Sequence, residues 1–379
     1  MWASHFLLDF FTGIWPIYKT MMQIDLAKAG LIAGLSGFIG EILQLFFGYF
    51  SDRGHRKKIM ILGLIFASSI LWITFVDGLF SSFCFLLLLM LGSGSYHPAA
   101  VGSAGNITRQ YKGRSILLFA SGGAIGLAVS QLGFIQLMHL FNGHALVMLL
   151  PVAVMIIIIG FHRFPEVEQT KAQLSFKEFI QPILRCQKPL LLLYLAQVAN
   201  YSLYIAFIFL LPDLLISKGC HSWLCHGGGH LCFIFGSAIA LPPVGYLCDR
   251  YGQKSVMLAV ISMAIFLLYF FIMQPLLSME WTIFLLASLG GFMGLVNPIL
   301  VSWGNRLVPE NPSTVSALMM GFAWCVASLG ATWAGLIAKV YDTDPIVKTI
   351  FWMGLLLVVA LLFILMMPQP ALHEEVAEE

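Results

Sequence analysis

Four ionisable side chains stand where nearly every neighbour is apolar, and each can take up or release a proton. His97 lies in "LGSGSYHPAAVG" (91–102), directly before Pro98 and among small residues. Proline removes a backbone donor and frees the carbonyl four residues back, and an imidazole beside it changes charge near neutral pH. His5 and Asp9 are four apart, which puts them on one face of a helix. Glu41 sits near the middle of another apolar stretch, with Gln44 one turn further on. Ionisable groups in such surroundings are costly and mark function. Each has a plainer alternative: His97 tying two helices together, Asp9 reaching water ~9 Å from a helix end, or Glu41 held by a structural partner.

Neutral groups come next. Asn297–Pro298 repeats the His97–Pro98 arrangement, but an amide binds without taking a proton. The asymmetry assigns proton handling to the first half of the chain and binding to both halves. Asn200, Tyr201 and Tyr204 are candidates for contacting a polar solute, although aromatic residues in such stretches mostly pack. The run "CHSWLCHGGGHLC" (220–232) offers possible metal ligands. Its spacing matches no common zinc pattern, so a glycine-rich helix entry is preferred to a metal site or a Cys220–Cys225 disulfide, and no metal is expected. An intramembrane metalloenzyme would need three converging ligands, and only His97 reads as a deep histidine. With no phosphate-binding loop in the chain, neither catalysis nor a cofactor is expected.

These residues must be positioned by long apolar elements. Of 379 residues, 59% are hydrophobic before glycine is counted, against about 45–50% with glycine in soluble domains. No Asp, Glu, Lys or Arg occurs over the 48 residues from Ser115 to His162. A membrane span needs ~20 apolar residues, so that stretch holds two spans and a hairpin. The charge-poor stretches predict twelve helices over 3–24, 27–50, 59–77, 80–104, 115–138, 144–162, 189–216, 230–248, 255–275, 281–304, 313–338 and 346–367. The expected fold is an all-α membrane protein with little room for anything but a lipid bilayer around it. The first span reads as a retained anchor rather than a cleaved signal. Alternate loops carry 15 of the 20 Lys and Arg, which predicts those loops and both termini on the cytoplasmic side. A net charge of +2 follows from that asymmetry and calls for no nucleic-acid partner.

The two halves echo each other at offsets of 196–200. Trp15–Pro16 aligns with Leu211–Pro212, Gly48 with Gly245, Asp52 with Asp249, and His97–Pro98 with Asn297–Pro298. That register predicts two pseudo-symmetric six-helix bundles, 1–162 and 189–379, joined by a polar linker over 163–188. Within the linker, "LSFKEFIQPILRC" predicts a short helix along the membrane surface. The charged turn "GYFSDRGHRKK" (48–58) recurs as "GYLCDRYGQKS" (245–255). In both, glycine permits close approach, and the Asp sits near the start of the next helix, where the dipole favours a carboxylate.

The pattern G-x-x-x-D-R-x-G-x-K between the second and third spans resembles the signature loop of the major facilitator superfamily. "LGSGSYHPAAVG", "GRSILLFASGGAIG" and "HFLLDFFTGIWP" further resemble its fosmidomycin-resistance branch. The resemblance covers the whole chain; the first copy departs from the pattern, with His55 where glycine is usual. It implies a monomeric secondary active transporter in a bacterial inner membrane, working by alternating access. Gly48, Asp52, Arg53, Gly245, Asp249 and Arg250 would form gating loops between the halves. The implied cargo is a small polar or drug-like compound, exported in exchange for protons handled by His97, Glu41, Asp9 and His5. The fifth-span segment "GGAIGLAVSQLG" lacks the Gly-Pro pair of many antiporters, which leaves uptake open, as does a non-transporting sensor on the same scaffold.

Overall fold

A computed structural model of the chain describes residues 1–51, 55–75, 78–104, 112–141, 149–161, Gln181, 187–275, 277–309 and 315–368. The predicted linker helix, Asp52 and Arg53 lie outside the described residues. All regular elements among the described residues are helical, because a backbone surrounded by lipid must satisfy its hydrogen bonds within one segment.

The helices are α1 (Trp2–Thr12), α2 (Trp15–Met21), α3 (Leu26–Phe50), α4 (Arg56–Ala67, extended by a tight turn over Ser68–Thr74), α5 (Leu79–Ala104), α6 (Lys112–Leu140) and α7 (Leu149–Phe161). Beyond the linker follow α8 (Gln187–Ser217), α9 (Gly229–Tyr251), α10 (Gln253–Met273), α11 (Met279–Leu307), α12 (Ala323–Ala338) and α13 (Pro345–Leu365). Wide turns over Leu224–Gly228 and Ala317–Phe322 lead into α9 and α12.

Ten helical stretches among the described residues are long and apolar enough to cross a membrane. The two remaining predicted spans correspond to the pair α1 and α2 and to the 13-residue α7. The break between α1 and α2 has a local cause: Pro16 has no N–H for the Thr12 carbonyl. α5, by contrast, runs unbroken through Pro98.

Small residues let the helices meet backbone to backbone. A methyl group added at Gly94 of α5 would lie 2.3 Å from the Gly40 carbonyl oxygen of α3, and one at Gly92 would lie 2.6 Å from the Gly63 carbonyl of α4. The second half repeats the first of these contacts, a methyl at Gly291 of α11 lying 3.4 Å from the Gly236 carbonyl of α9. Small residues around His97 thus serve helix packing. On the other side of the triad described below, a methyl at Gly126 of α6 would lie 2.0 Å from the Phe6 carbonyl of α1.

The two copies of the charged turn differ. Gly252, between α9 and α10, has φ +79, a conformation natural to glycine. His55 occupies the corresponding place before α4 with φ −99. A methyl at Gly48 would lie 3.7 Å from the Pro98 side chain, while one at Gly245 would meet nothing within 4 Å.

Candidate functional site

α1, α5 and α6 bring His5, Asp9 and His97 together. His5 Nε2 lies 3.2 Å from His97 Nε2 and 3.3 Å from Asp9 Oδ2, and His97 Nε2 lies 3.4 Å from Asp9 Oδ1. One carboxylate therefore spans both imidazoles, a different oxygen serving each. The rings are held from behind. His5 Nδ1 meets the Phe119 carbonyl of α6 at 2.8 Å, and its ring stacks on the Phe119 ring at 4.1 Å. His97 Nδ1 lies 2.9 Å from the Ser93 carbonyl and 3.1 Å from Ser93 Oγ, one turn back on α5. Beside them Tyr96 and Ser4 share a 2.7 Å hydrogen bond between α5 and α1.

The sequence placed only His5 and Asp9 on a common face. Bringing His97 to them takes a contact 92 residues apart. Asp9 is 18% exposed, so its carboxylate is neither open to bulk water nor sealed away from it. Glu41 is half-buried on α3 and close enough to act electrostatically on His97, Asp9 and, in the second half, Tyr201.

The candidate solute-contacting groups of the second half are neutral. Gln197 Nε2 of α8 donates to Asn297 Oδ1 of α11 at 2.6 Å, and Asn200 Nδ2 donates to the Met293 carbonyl at 3.4 Å. Tyr201 stacks between Tyr204 at 5.4 Å and Trp324 of α12 at 5.0 Å, both nearly parallel. Gln44 Oε1, Gln197 Oε1, Asn200 Oδ1 and Trp324 Nε1 are buried without a protein partner. Buried polar atoms normally find partners, so these four remain available to a bound solute or water. Gln197 and Trp324 carry no local sequence signal, since a lone Gln or Trp in an apolar span looks the same whether it packs or binds.

The seam between the halves is closed at the end away from the chain termini. Lys19 of α2 is ion-paired with Asp213 of α8, and Thr20 Oγ1 donates to the same carboxylate at 3.1 Å. His230 Nε2 donates to the Leu127 carbonyl at 2.9 Å, and Thr332 Oγ1 donates to the Gly30 carbonyl at 3.0 Å. Gly227, with φ +103, lies so close to α6 that a methyl there would be 2.3 Å from the Leu132 nitrogen. Gly227 of the Cys/His run thus makes a contact between the halves. Cys220, Cys225 and Cys232 are free thiols. At the terminal end a cleft of about 520 Å³ opens along Asn297, Pro298, Val301, Ser302, Asn305, Arg306 and Met320. There Asp249 pairs with Arg306 of its own half at 2.8 Å, and Arg250 donates to the Tyr246 hydroxyl at 3.0 Å.

A helical membrane protein with a polar seam, bridged between its halves at one end, has the architecture of a solute transporter. The sequence profile of the Major Facilitator Superfamily matches residues 1–328 and 222–379, and the chain belongs to that family. Over 365 residues it is 22% identical to the fosmidomycin resistance protein of Escherichia coli (strain K12), covering 93% of this chain and 89% of that one. Its fold is similar to that of a bacterial homologue of the human lysosomal transporter Spinster, in an inward-facing and occupied conformation. The TM-score is 0.73 at 14% identity, over 96% of this chain and 94% of that one. It is also similar to the nucleoside transporter NupG, with TM-score 0.75 at 12% identity, over 97% and 99% of the two chains. The protein is a transporter and not an enzyme.

Proposed function

We propose that this protein is a monomeric, proton-coupled secondary active transporter that exports a small polar or drug-like solute by alternating access. The observation that carries the reading is the convergence of His5, Asp9 and His97, with the half-buried Glu41 on α3 as a further titratable group. A proton held on the triad strengthens the bridge across α1, α5 and α6, because an imidazolium donates to Asp9 where a neutral Nε2 does not. Its release loosens that bridge. Gln44, Gln197, Asn200, Tyr201, Tyr204, Trp324 and Asn297 supply amides and stacked rings that suit a polar, partly planar cargo. Support for export comes from the relative named for resistance to fosmidomycin. The basic loops and both termini lie in the cytoplasm of a bacterial inner membrane, so the cleft faces the cytoplasm and the Lys19–Asp213 end faces outward. Two rigid halves rocking about a midplane site then alternate its exposure.

The test is His97→Asn, which copies Asn297 and keeps hydrogen bonding without a titrating group. In vesicles with an imposed pH gradient, the variant should exchange labelled solute across the membrane but no longer move it uphill. Uphill transport equal to the parent's would remove His97 from coupling and pass the role to Glu41.

A further inference from the structure

The triad is built from acceptors. The Nδ1 atoms of His5 and His97 each face a backbone carbonyl, at 2.8 and 2.9 Å. A carbonyl only accepts, so each Nδ1 carries the hydrogen, and each neutral ring leaves Nε2 as a bare lone pair. These two lone-pair atoms face each other at 3.2 Å. Asp9 adds carboxylate oxygens at 3.3 and 3.4 Å. Three electron-rich groups in mutual contact repel unless a cation lies among them. Zn²⁺ bonds His nitrogen and carboxylate oxygen at about 2.0–2.2 Å, which in a tetrahedron separates the ligand atoms by ~3.3–3.5 Å. The two nitrogens, 3.2 Å apart, lie close to that separation, and each has one Asp9 oxygen at a similar distance, Oδ2 for His5 and Oδ1 for His97; one ligand atom from each of the three residues lies within 4.8 Å of the others.

Two further features belong to a metal site. A histidine that ligates through Nε2 usually donates its Nδ1–H to a carbonyl or carboxylate, which fixes its tautomer and ring orientation; both rings here do so. The wall toward α6 is Gly123, where a methyl group would lie 2.4 Å from both His5 Nε2 and Asp9 Oδ2. The absence of a side chain there keeps the point of convergence open. Among the described residues this is the one set of three His, Cys, Asp or Glu side chains whose ligand atoms converge. The Cys/His run does not gather in this way. His221 Nδ1 accepts from the Trp223 N–H, His226 Nδ1 bonds Ser222, and His230 reaches Leu127.

We infer that His5, Asp9 and His97 form a binding site for a divalent transition-metal ion, Zn²⁺ or the similar Co²⁺. Two imidazoles and one carboxylate leave a fourth position for water or for an oxygen atom of a bound solute. The metal and a bridging proton would compete for the same lone pairs. In the sequence only His97 reads as a deep histidine; folding brings His5 and Asp9 to it.

The test is Co²⁺ binding to the purified, chelator-stripped protein in detergent. One Co²⁺ per chain should bind, with visible bands of nitrogen and oxygen coordination, no thiolate-to-cobalt band in the near ultraviolet, and displacement by Zn²⁺. The spectrum should vanish in His97→Asn and Gly123→Ala, with circular dichroism confirming that each variant is folded. It should persist when Cys220→Ser, His221→Asn and His226→Asn are combined. If either triad variant fails to fold, Asp9→Asn takes its place, with the same loss expected. No binding by the parent, a thiolate band, or a spectrum that survives His97→Asn or Asp9→Asn overturns the inference. The measurement reads binding in the purified protein, so it stands or falls separately from proton coupling.

Discussion

Lys19 has none of its side chain exposed to solvent, although nothing in its local sequence marks it, or Asp213 beside Pro212, as a member of a buried pair. They are partners across the seam, 194 residues apart, and the Lys19 ammonium also lies 4.7 Å from the centre of the Phe209 ring. Removing one member of a buried ion pair strands the other, at a cost of about 3–5 kcal/mol, whereas replacing both by apolar groups is often neutral. Asp213→Asn should therefore lower the melting temperature in detergent and make this end of the seam more reactive toward a thiol reagent. The double variant Lys19→Met with Asp213→Leu should recover most of the melting temperature. If the single and double variants melt together, the pair contributes nothing to the closed end. At the same scale, the triad shows how little of a site adjacent residues can reveal. The four-residue spacing made His5 and Asp9 legible as neighbours, while His97 joined them only through the packing of α5 on α1.

At the scale of helices, glycines decide how closely the elements approach. A methyl at Gly290 of α11 would lie 1.8 Å from the Phe233 carbonyl of α9, and a backbone contact cannot yield as a flexible side chain does. Gly290→Ala should push α9 and α11 apart and lower the melting temperature clearly. Gly245→Ala meets nothing within 4 Å and should leave it unchanged within about 0.5 kcal/mol. If the charged turn closes against its neighbours in the other state of the cycle, Gly245→Ala will still slow transport, so the two variants separate stability from cycling. Equal loss of stability in both would show that the open space at Gly245 is filled in the membrane. The span map was legible because lipid forces each span to be long, helical and apolar. The chain breaks before Pro16 yet α5 runs unbroken through Pro98, a difference that no pattern of hydropathy carries.

For the whole molecule, one seam organises the chemistry: it is bridged by Lys19–Asp213, His230–Leu127 and Thr332–Gly30, and among the described residues a cleft runs along α11 toward the end that carries the termini. Reporter fusions at residues 54, 112 and 175 should read cytoplasmic, and fusions at 143 and 280 external, given the basic asymmetry of the loops. Reversal at any two of these positions would invert the proposed orientation. With that orientation, a cysteine replacing Val301 in the cleft should react with an impermeant thiol reagent from the cytoplasmic side. Labelling of that cysteine from the outside alone would mean that the cleft is not the open mouth.

The sequence by itself determined the membrane class, the rough limits of most spans and the family, because each follows from composition, period or motif along one strand of chain. It also picked out His97, Asp9, His5 and Glu41, because a titratable group in an apolar stretch is conspicuous wherever it ends up. Only the tertiary structure decided that three of these share one point and that both imidazoles turn their Nε2 atoms toward it. It also decided that Gly123 leaves that point open, and that Lys19 finds Asp213 rather than water. Those facts depend on distances between helices remote in sequence. Such distances are set by which small residues let two backbones touch, a property of pairs of helices that neither helix carries alone.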